Sequence, residues 1–180
     1  MQVTGKVIRA ARAFDGERVL PGGAAVFVQD GQIAGVEAAD APIPEGWQPV
    51  DFPHATLLPG LIDMHCHLGA DSHDGGLERM ATDNEARLEE VIDDSLRRQL
   101  AAGVTTVRDL GDRDWSVVRR RDLARAPGTA GPLSPAIVAA GPVITTPAAI
   151  APSWAALSRA RSNCARRCAS ASSGASTSSR

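Results

Sequence analysis

Two histidines separated by a single residue are the strongest candidates for chemistry in this sequence. His65 and His67 flank Cys66 within "LLPGLIDMHCHLGAD", residues 57–71, at the end of an apolar run. In a β-strand, residues i and i+2 project from the same face, so both imidazoles can reach one cation while Cys66 turns away into packing. Neutral imidazole nitrogens suit zinc and similar borderline metals. The spacing therefore predicts part of a metal site, with His65 and His67 as ligands.

The residues around this pair predict alternating strands and helices. A buried strand follows Pro59-Gly60 and ends at the histidines, and further strands are predicted at "VTTVRDLG" and at "SPAIVAAGPVI", the last extending to Ile144. A helix is predicted over residues 83–103 and a second one at "WSVVRRRDLARA". The first helix rests on the helical spacing of five apolar residues, Leu88, Val91, Ile92, Leu96 and Leu100. This alternation predicts an α/β fold with a parallel sheet of about three βα units.

Three other polar residues near these elements are given structural rather than chemical interpretations. The segment after the histidines is rich in Gly, Asp and Ser and is predicted as a loop, in which His73 is a solvated residue. His54 precedes the histidine strand and is interpreted as structural. Asp109 ends the second strand, where it could line the mouth of a site, and no catalytic role is assigned to it.

The first part of the chain, residues 1–58, has the pattern of short β-strands. Apolar residues alternate or cluster in "KVIRAARAF", "AAVFVQDGQIAGVEAA" and "WQPVDFPHATLLP". Asp30-Gly31 lies between two apolar runs and predicts a hairpin turn. The segment is predicted to form a small sheet or β-sandwich.

Residues 148–180 differ from the rest of the sequence. All 21 acidic residues lie before Ala148, whereas five of the 19 basic residues lie after it. The segment is mostly Ala, Ser and Arg, and it is predicted to be disordered because it cannot bury enough apolar surface. With GC-rich codons chosen for residues 148–180, restoring one G after the codon of Pro147 gives a reading frame that encodes acidic residues and an amphipathic helix. We therefore predict that residues 148–180 are translated out of frame. The strand–helix alternation before them is predicted to form a separate segment, residues 59–147.

Composition excludes several classes of function. The net charge of −2 predicts no nucleic-acid partner. Three cysteines, Cys66, Cys164 and Cys168, are too few for a disulfide framework. No signal peptide and no apolar segment long enough for a bilayer is visible, so a cytoplasmic chain without a membrane partner is expected.

The motif "LLPGLIDMHCHL", with "FDG" before it and "GVTTVRDLG" after it, resembles the amidohydrolase superfamily over residues 1–147. The resemblance is narrower to its imidazolonepropionase-like and Xaa-Pro dipeptidase-like members. It implies a partial (β/α)8 TIM barrel preceded by a small β-sandwich segment, and His65 and His67 as metal ligands. It also implies one or two divalent ions, with zinc expected, and hydrolysis of a C–N bond in an amide, cyclic amide or dipeptide by a metal-activated water. It is compatible with a homo-oligomer of the full-length protein.

In this family the remaining metal ligands come from later strands, at positions that this sequence does not carry. The chain is therefore expected to be an inactive N-terminal fragment that aggregates when expressed alone. The alternative interpretation is a small non-catalytic metal-binding or interaction domain that uses His-Cys-His and the basic tail.

Overall fold

The computed structural model describes residues 5–126 and 133–143 of the 180-residue chain. The chain divides into two compact units, with the boundary between Pro59 and Gly60. The predicted disorder of residues 148–180 and the two cysteines in that segment lie outside the described residues. None of the described helices combines the length and the apolar character needed to cross a bilayer.

The first unit is a five-stranded sheet. Its strands are β1 (Lys6–Phe14), β2 (Val19–Leu20), β3 (Ala24–Gln29), β4 (Gln32–Glu37) and β5 (Gln48–Leu57). β1 pairs antiparallel with β2 and β3, and parallel with β5, while β4 pairs antiparallel with β3. Its buried residues are mostly small, namely Val7, Ala10, Ala13, Ala24 and Ala25.

The predicted hairpin turn is present between β3 and β4. Asp30 and Gly31 both have positive φ, 50° and 74°, which a two-residue type I′ turn requires. Asp tolerates this conformation better than most residues and Gly adopts it without a steric penalty. The Asp-Gly pair therefore fixes the register of the hairpin.

The second unit alternates strands and helices, as predicted. Its elements are β6 (Leu61–Cys66), α1 (Gly76–Thr82), α2 (Glu85–Ala101), β7 (Val104–Asp109), α3 (Ser116–Arg125) and β8 (Ala136–Ala139). The three strands pair in parallel in the order β6-β7-β8. This mixed α/β unit places the carboxyl ends of its strands at one edge, where α/β proteins bind ligands.

Helix α2 forms where the apolar spacing predicts it. The side chain of Asn84 caps its first turn by accepting from Arg87 N at 2.9 Å. Gly103, with φ of 86°, follows its last turn, a conformation that Gly adopts without penalty. The buried face of α2 packs into a core with residues of the sheet, of the segment after β6, of α1 and of α3: Leu68, Met80, Leu88, Ile92, Leu96, Val107, Val117 and Ile137.

Two elements differ from the prediction. Helix α1 lies inside the segment predicted as a loop. The sequence lacks apolar periodicity there, and the helix is stabilised by one buried apolar side chain, Met80, and by tertiary contacts. Strand β8 was predicted to extend to Ile144, which lies outside the described residues, but it ends at Ala139. Gly141 then takes a positive φ of 78°, and Pro142 cannot donate to a strand ladder.

Candidate metal centre

The two predicted ligands lie together at the carboxyl end of β6. His65 is within the strand and His67 follows it directly, and the centroids of their rings are 5.5 Å apart with an interplanar angle of 73°. Two imidazoles bound to one tetrahedral zinc through bonds of about 2 Å have centroids about 5 Å apart. The separation of the rings therefore fits a shared cation.

A bulge in β6 determines which side chains surround this pair. Asp63 pairs with Val107 and Cys66 pairs with Asp109, so Met64 and His65 together lie opposite Arg108. This extra residue interrupts the alternation of side chains, as β-bulges do. Asp63 and Cys66 consequently share the face of the sheet that packs on α2.

Asp63 stabilises the bulge through both of its carboxylate oxygens. Oδ1 accepts from the backbone N of His65 at 3.0 Å, and Oδ2 accepts from Nε2 of Gln99 in α2 at 3.0 Å. The backbone that carries His65 is therefore tied to a helix. The role of Asp63 could have been suspected from its place two residues before His65, but that of Gln99 required the packing of α2.

The ring of His67 is oriented by a backbone carbonyl. Its Nδ1 lies 3.1 Å from the carbonyl oxygen of Gly111. A carbonyl oxygen can only accept, so Nδ1 donates and the lone pair of the neutral ring is on Nε2. Metal-binding histidines commonly donate their second ring N–H in this way.

Asp109 is an interior residue rather than a residue of the site's mouth. Its side chain is buried at 0% exposure, Oδ2 accepts from Leu68 N at 2.8 Å, and Oδ1 accepts from Gly111 N at 3.0 Å. Burial raises the pKa of Asp109, while the two N–H groups and then His67 oppose that rise. Both oxygens therefore bond to the main chain, and the suggestion that Asp109 lines the mouth is not supported.

Cys66 does not join the two histidines as a ligand. It packs against the core, and its Sγ donates to the carbonyl oxygen of Arg108 at 3.5 Å. Burial raises the pKa of the Cys66 thiol to about 12, with smaller contributions from Asp109 and Asp63. In the described part of the chain, no three His, Cys, Asp or Glu side chains are placed to hold one metal ion, so the packing interpretation of Cys66 agrees with the structure and a His-Cys-His ligand set does not.

A groove of about 890 Å³ opens beside the histidines. It is bordered by the end of β6, the loop before α1 and one face of α2, and its polar lining includes His65, His67, Asp71, His73, Arg87 and Asp94. His73 is exposed at this groove, as expected for a loop residue. His54 lies in β5 of the first unit and is not part of the groove.

The loop that borders the groove is held by an ion pair that the sequence did not indicate. Arg79 of α1 donates from Nε to Asp71 Oδ2 at 2.8 Å and from Nη2 to Asp71 Oδ1 at 2.6 Å. These bonds lower the pKa of Asp71 to about 2. The bidentate pair connects the loop to the last turn of α1.

Among the described residues, the two histidines are the candidate metal ligands that the structure brings together. Across residues 5–126 and 133–143, no group of three or more His, Cys, Asp or Glu side chains is placed to hold a metal ion. A catalytic zinc normally has at least three protein ligands. The chemistry and spacing of the two imidazoles thus fit one part of a metal centre.

Comparisons with known proteins show the family to which the chain belongs. A sequence model of the amidohydrolase family matches residues 56–176. A dihydroorotase from Syntrophus aciditrophicus (strain SB) is 38% identical over 64 residues, which cover 36% of this chain and 14% of the dihydroorotase. The chain spans only a small part of that relative.

Solved structures of similar fold extend the comparison to most of the chain. A Xaa-Pro dipeptidase with bound methionine in the active site has a TM-score of 0.61 at 22% identity, covering 76% of this chain and 33% of that protein. A prolidase in complex with N-methylphosphonate-L-proline has a TM-score of 0.60 at 27% identity, covering 77% and 32%. The chain thus spans about a third of the length of these structures. Since the family match covers well over half of the chain and includes the histidine pair, the chain belongs to the amidohydrolase family.

Proposed function

We propose that this chain carries the first part of a metal-dependent hydrolase that cleaves a C–N bond. The observation that carries the proposal is the pair of His65 and His67, with ring centroids 5.5 Å apart and Nδ1 of His67 donating to a carbonyl. We further propose that β6-α2-β7-α3-β8, within residues 59–147, is the beginning of a (β/α)8 barrel. The sheet of residues 1–58 would then belong to a β-sandwich.

The proposed ligands of the divalent ion, with zinc as the expected metal, are His65 and His67. When bound, such an ion lowers the pKa of a water molecule and polarises the carbonyl of an amide. This chain's own contribution is positional. Gly111 orients the ring of His67, Asp63 holds the backbone of His65, and the groove beside them gives room for a substrate.

The substrate class is proposed from the comparisons. The similarity to a prolidase in complex with a proline phosphonate supports a dipeptide-like substrate. The similarity to a dihydroorotase supports the cyclic amide class. The groove, of about 890 Å³, is within the range of small-molecule sites, roughly 300–1,000 Å³.

We also propose that the chain alone is inactive and binds metal weakly. The described part of the molecule offers two ligands where a catalytic zinc takes at least three. Incubation of the full chain with zinc and a panel of Xaa-Pro dipeptides and cyclic amides should give no turnover above the zinc blank. Turnover that disappears in His67→Ala would contradict the proposed inactivity.

Zinc titration followed by NMR of the histidine side chains tests the metal site itself. Zinc should shift the ring signals of His65 and His67 first, and His65→Ala and His67→Ala should each abolish this response. His54→Ala is the control, because His54 lies in the other unit and should leave the titration unchanged. Equal zinc responses at all histidines would overturn the assignment of the two ligands.

A further inference from the structure

We propose that Asp109 is a positioning residue for His67: its carboxylate fixes the ring orientation and the tautomer in which His67 would bind a metal. The inference deepens the metal site proposed above and rests on it. It is argued from hydrogen bonds to the backbone next to His67 and to the residue that the ring contacts. Asp109 itself would not contact metal or substrate.

The first step concerns the backbone of His67. Oδ2 of Asp109 accepts from Leu68 N at 2.8 Å. That N–H belongs to the peptide group that joins His67 to Leu68. The carboxylate of Asp109, at the end of β7, therefore holds the peptide group that follows the Cα of His67.

The second step concerns the group that the ring contacts. Oδ1 of Asp109 accepts from Gly111 N at 3.0 Å, and the carbonyl oxygen of Gly111 accepts from Nδ1 of His67 at 3.1 Å. One carboxylate thus positions both the backbone of His67 and the acceptor of its side chain. The backbone of Gly111 packs closely against its neighbours. A Cβ on Gly111 would lie 3.5 Å from Cε1 of the His67 ring and 2.3 Å from Cγ2 of Val143.

The third step explains why a carboxylate occupies this position. The two N–H donors face one side chain that is 0% exposed. An ionised carboxylate offers acceptors on both oxygens, whereas the amide of Asn offers one acceptor and one donor group. Asn at this position would leave either Leu68 N or Gly111 N facing another donor.

Asp112 provides a matched control. It is also buried, at 1% exposure, and lies three residues further along the same segment. Its Oδ2 accepts from Val117 N and Val118 N at the start of α3, at 3.1 and 3.3 Å, and not from the His67 region. Asp112→Asn therefore perturbs a buried carboxylate of the same unit without removing a bond next to the histidine.

Two measurements on the metal-free, unmutated full chain test the geometry. Long-range ¹H–¹⁵N correlation of the histidine rings should show His67 with its proton on Nδ1, and a proton mainly on Nε2 would overturn the proposal. Couplings across hydrogen bonds should connect the amide nitrogens of Leu68 and Gly111 to the carboxyl carbon of Asp109. Their absence, with both amides exchanging rapidly, would also overturn it.

Zinc affinity then tests the consequence, measured by titration of the histidine ring signals with zinc in NMR spectra. Asp109→Asn should weaken binding of zinc by about 10–100-fold, the range found for residues that support metal ligands, and should mix the tautomers of His67. Asp112→Asn, compared at equal folded fraction, should change neither. Equal losses in the two variants would mean that Asp109 acts only through general stability, and the proposal would fail.

The NMR and zinc-binding measurements together separate the positioning role of Asp109 from the proposed metal site. If the His67 ring and both amide bonds are as described but zinc perturbs neither His65 nor His67, the metal site is overturned and the anchoring by Asp109 is supported. If zinc binds at both rings while His67 is protonated on Nε2 in the metal-free chain, the metal site is supported and the positioning role is overturned.

Discussion

Gly60, at the start of the histidine strand, is expected to tolerate no side chain. A Cβ at this position would lie 2.1 Å from Oγ1, 2.3 Å from Cγ2 and 2.7 Å from Cβ of Thr105 in the neighbouring strand. Thr is stiff at χ1, and both of its branches are involved, so a rotamer change cannot relieve the clash. The ends of β6 and β7 would have to separate. We expect Gly60→Ala to cost about 1.5–3 kcal/mol, the upper part of the range for overpacking.

Hydrogen exchange measures this loss within the second unit. Amides of Ile92 and Val107, both at 0% exposure in its core, should exchange about 10–100-fold faster, which corresponds to about 1.4–2.8 kcal/mol. Thr105→Ala in the Gly60→Ala background removes two of the three close atoms and should restore most of the protection. Gly35→Ala is the control, because a Cβ there has no atom within 4 Å. Unchanged exchange in Gly60→Ala would refute the argument from close approach.

Three further predictions follow from the site. Cys66, whose pKa is raised to about 12 by burial, should resist iodoacetamide in the folded chain at pH 8 and react in urea, as read by mass spectrometry of its peptide; labelling in the folded chain would contradict the packing. The carboxyl ¹³C signal of Asp71 should titrate near pH 2, because its hydrogen bonds with Arg79 and with the backbone N–H of His73 lower its pKa. The stabilisation of the fold by the Asp71–Arg79 pair should be complete above about pH 4 and be lost as the pH falls through 2. A titration midpoint near pH 4 would rule out the ion pair. Gln99→Ala should remove about 0.5–1.5 kcal/mol and speed exchange of the His65 amide, whereas the exposed Arg97→Ala should not; equal exchange in both variants would show that Asp63 does not depend on α2.

Local sequence signals were sufficient for the regular elements. The apolar spacing of α2, the Asp30-Gly31 turn and the strand–helix alternation after Pro59 each depend on residues close in sequence, and each is present in the structure. Helix α1 could not be predicted in this way. It has seven residues, its N-cap residue is Gly75, which has no side chain to cap the helix, and its tertiary contacts include the pairing of Arg79 with Asp71.

The candidate site was predictable only in part, for a similar reason. His65 and His67 could be chosen from their spacing, because i, i+2 geometry is local. The residues that hold these two histidines in place could not be chosen from the sequence. Asp109 contacts Leu68 across 41 residues of sequence and Gln99 contacts Asp63 across 36, and both contacts depend on a strand register that a bulge displaces by one residue.

That bulge bears on the metal selectivity of the site that we propose. In a regular strand Asp63, His65 and His67 would all project from one face, and a carboxylate would stand beside the two imidazoles. Here the strand carries an extra residue, and both carboxylate oxygens of Asp63 are occupied, by the backbone N of His65 and by Gln99 of α2. Carboxylate oxygens favour hard ions such as magnesium and calcium, whereas imidazole favours zinc and its neighbours. At the metal site that we propose, an irregularity of the backbone would thus set the donor chemistry offered to a cation, without any change in which residue types the strand contains.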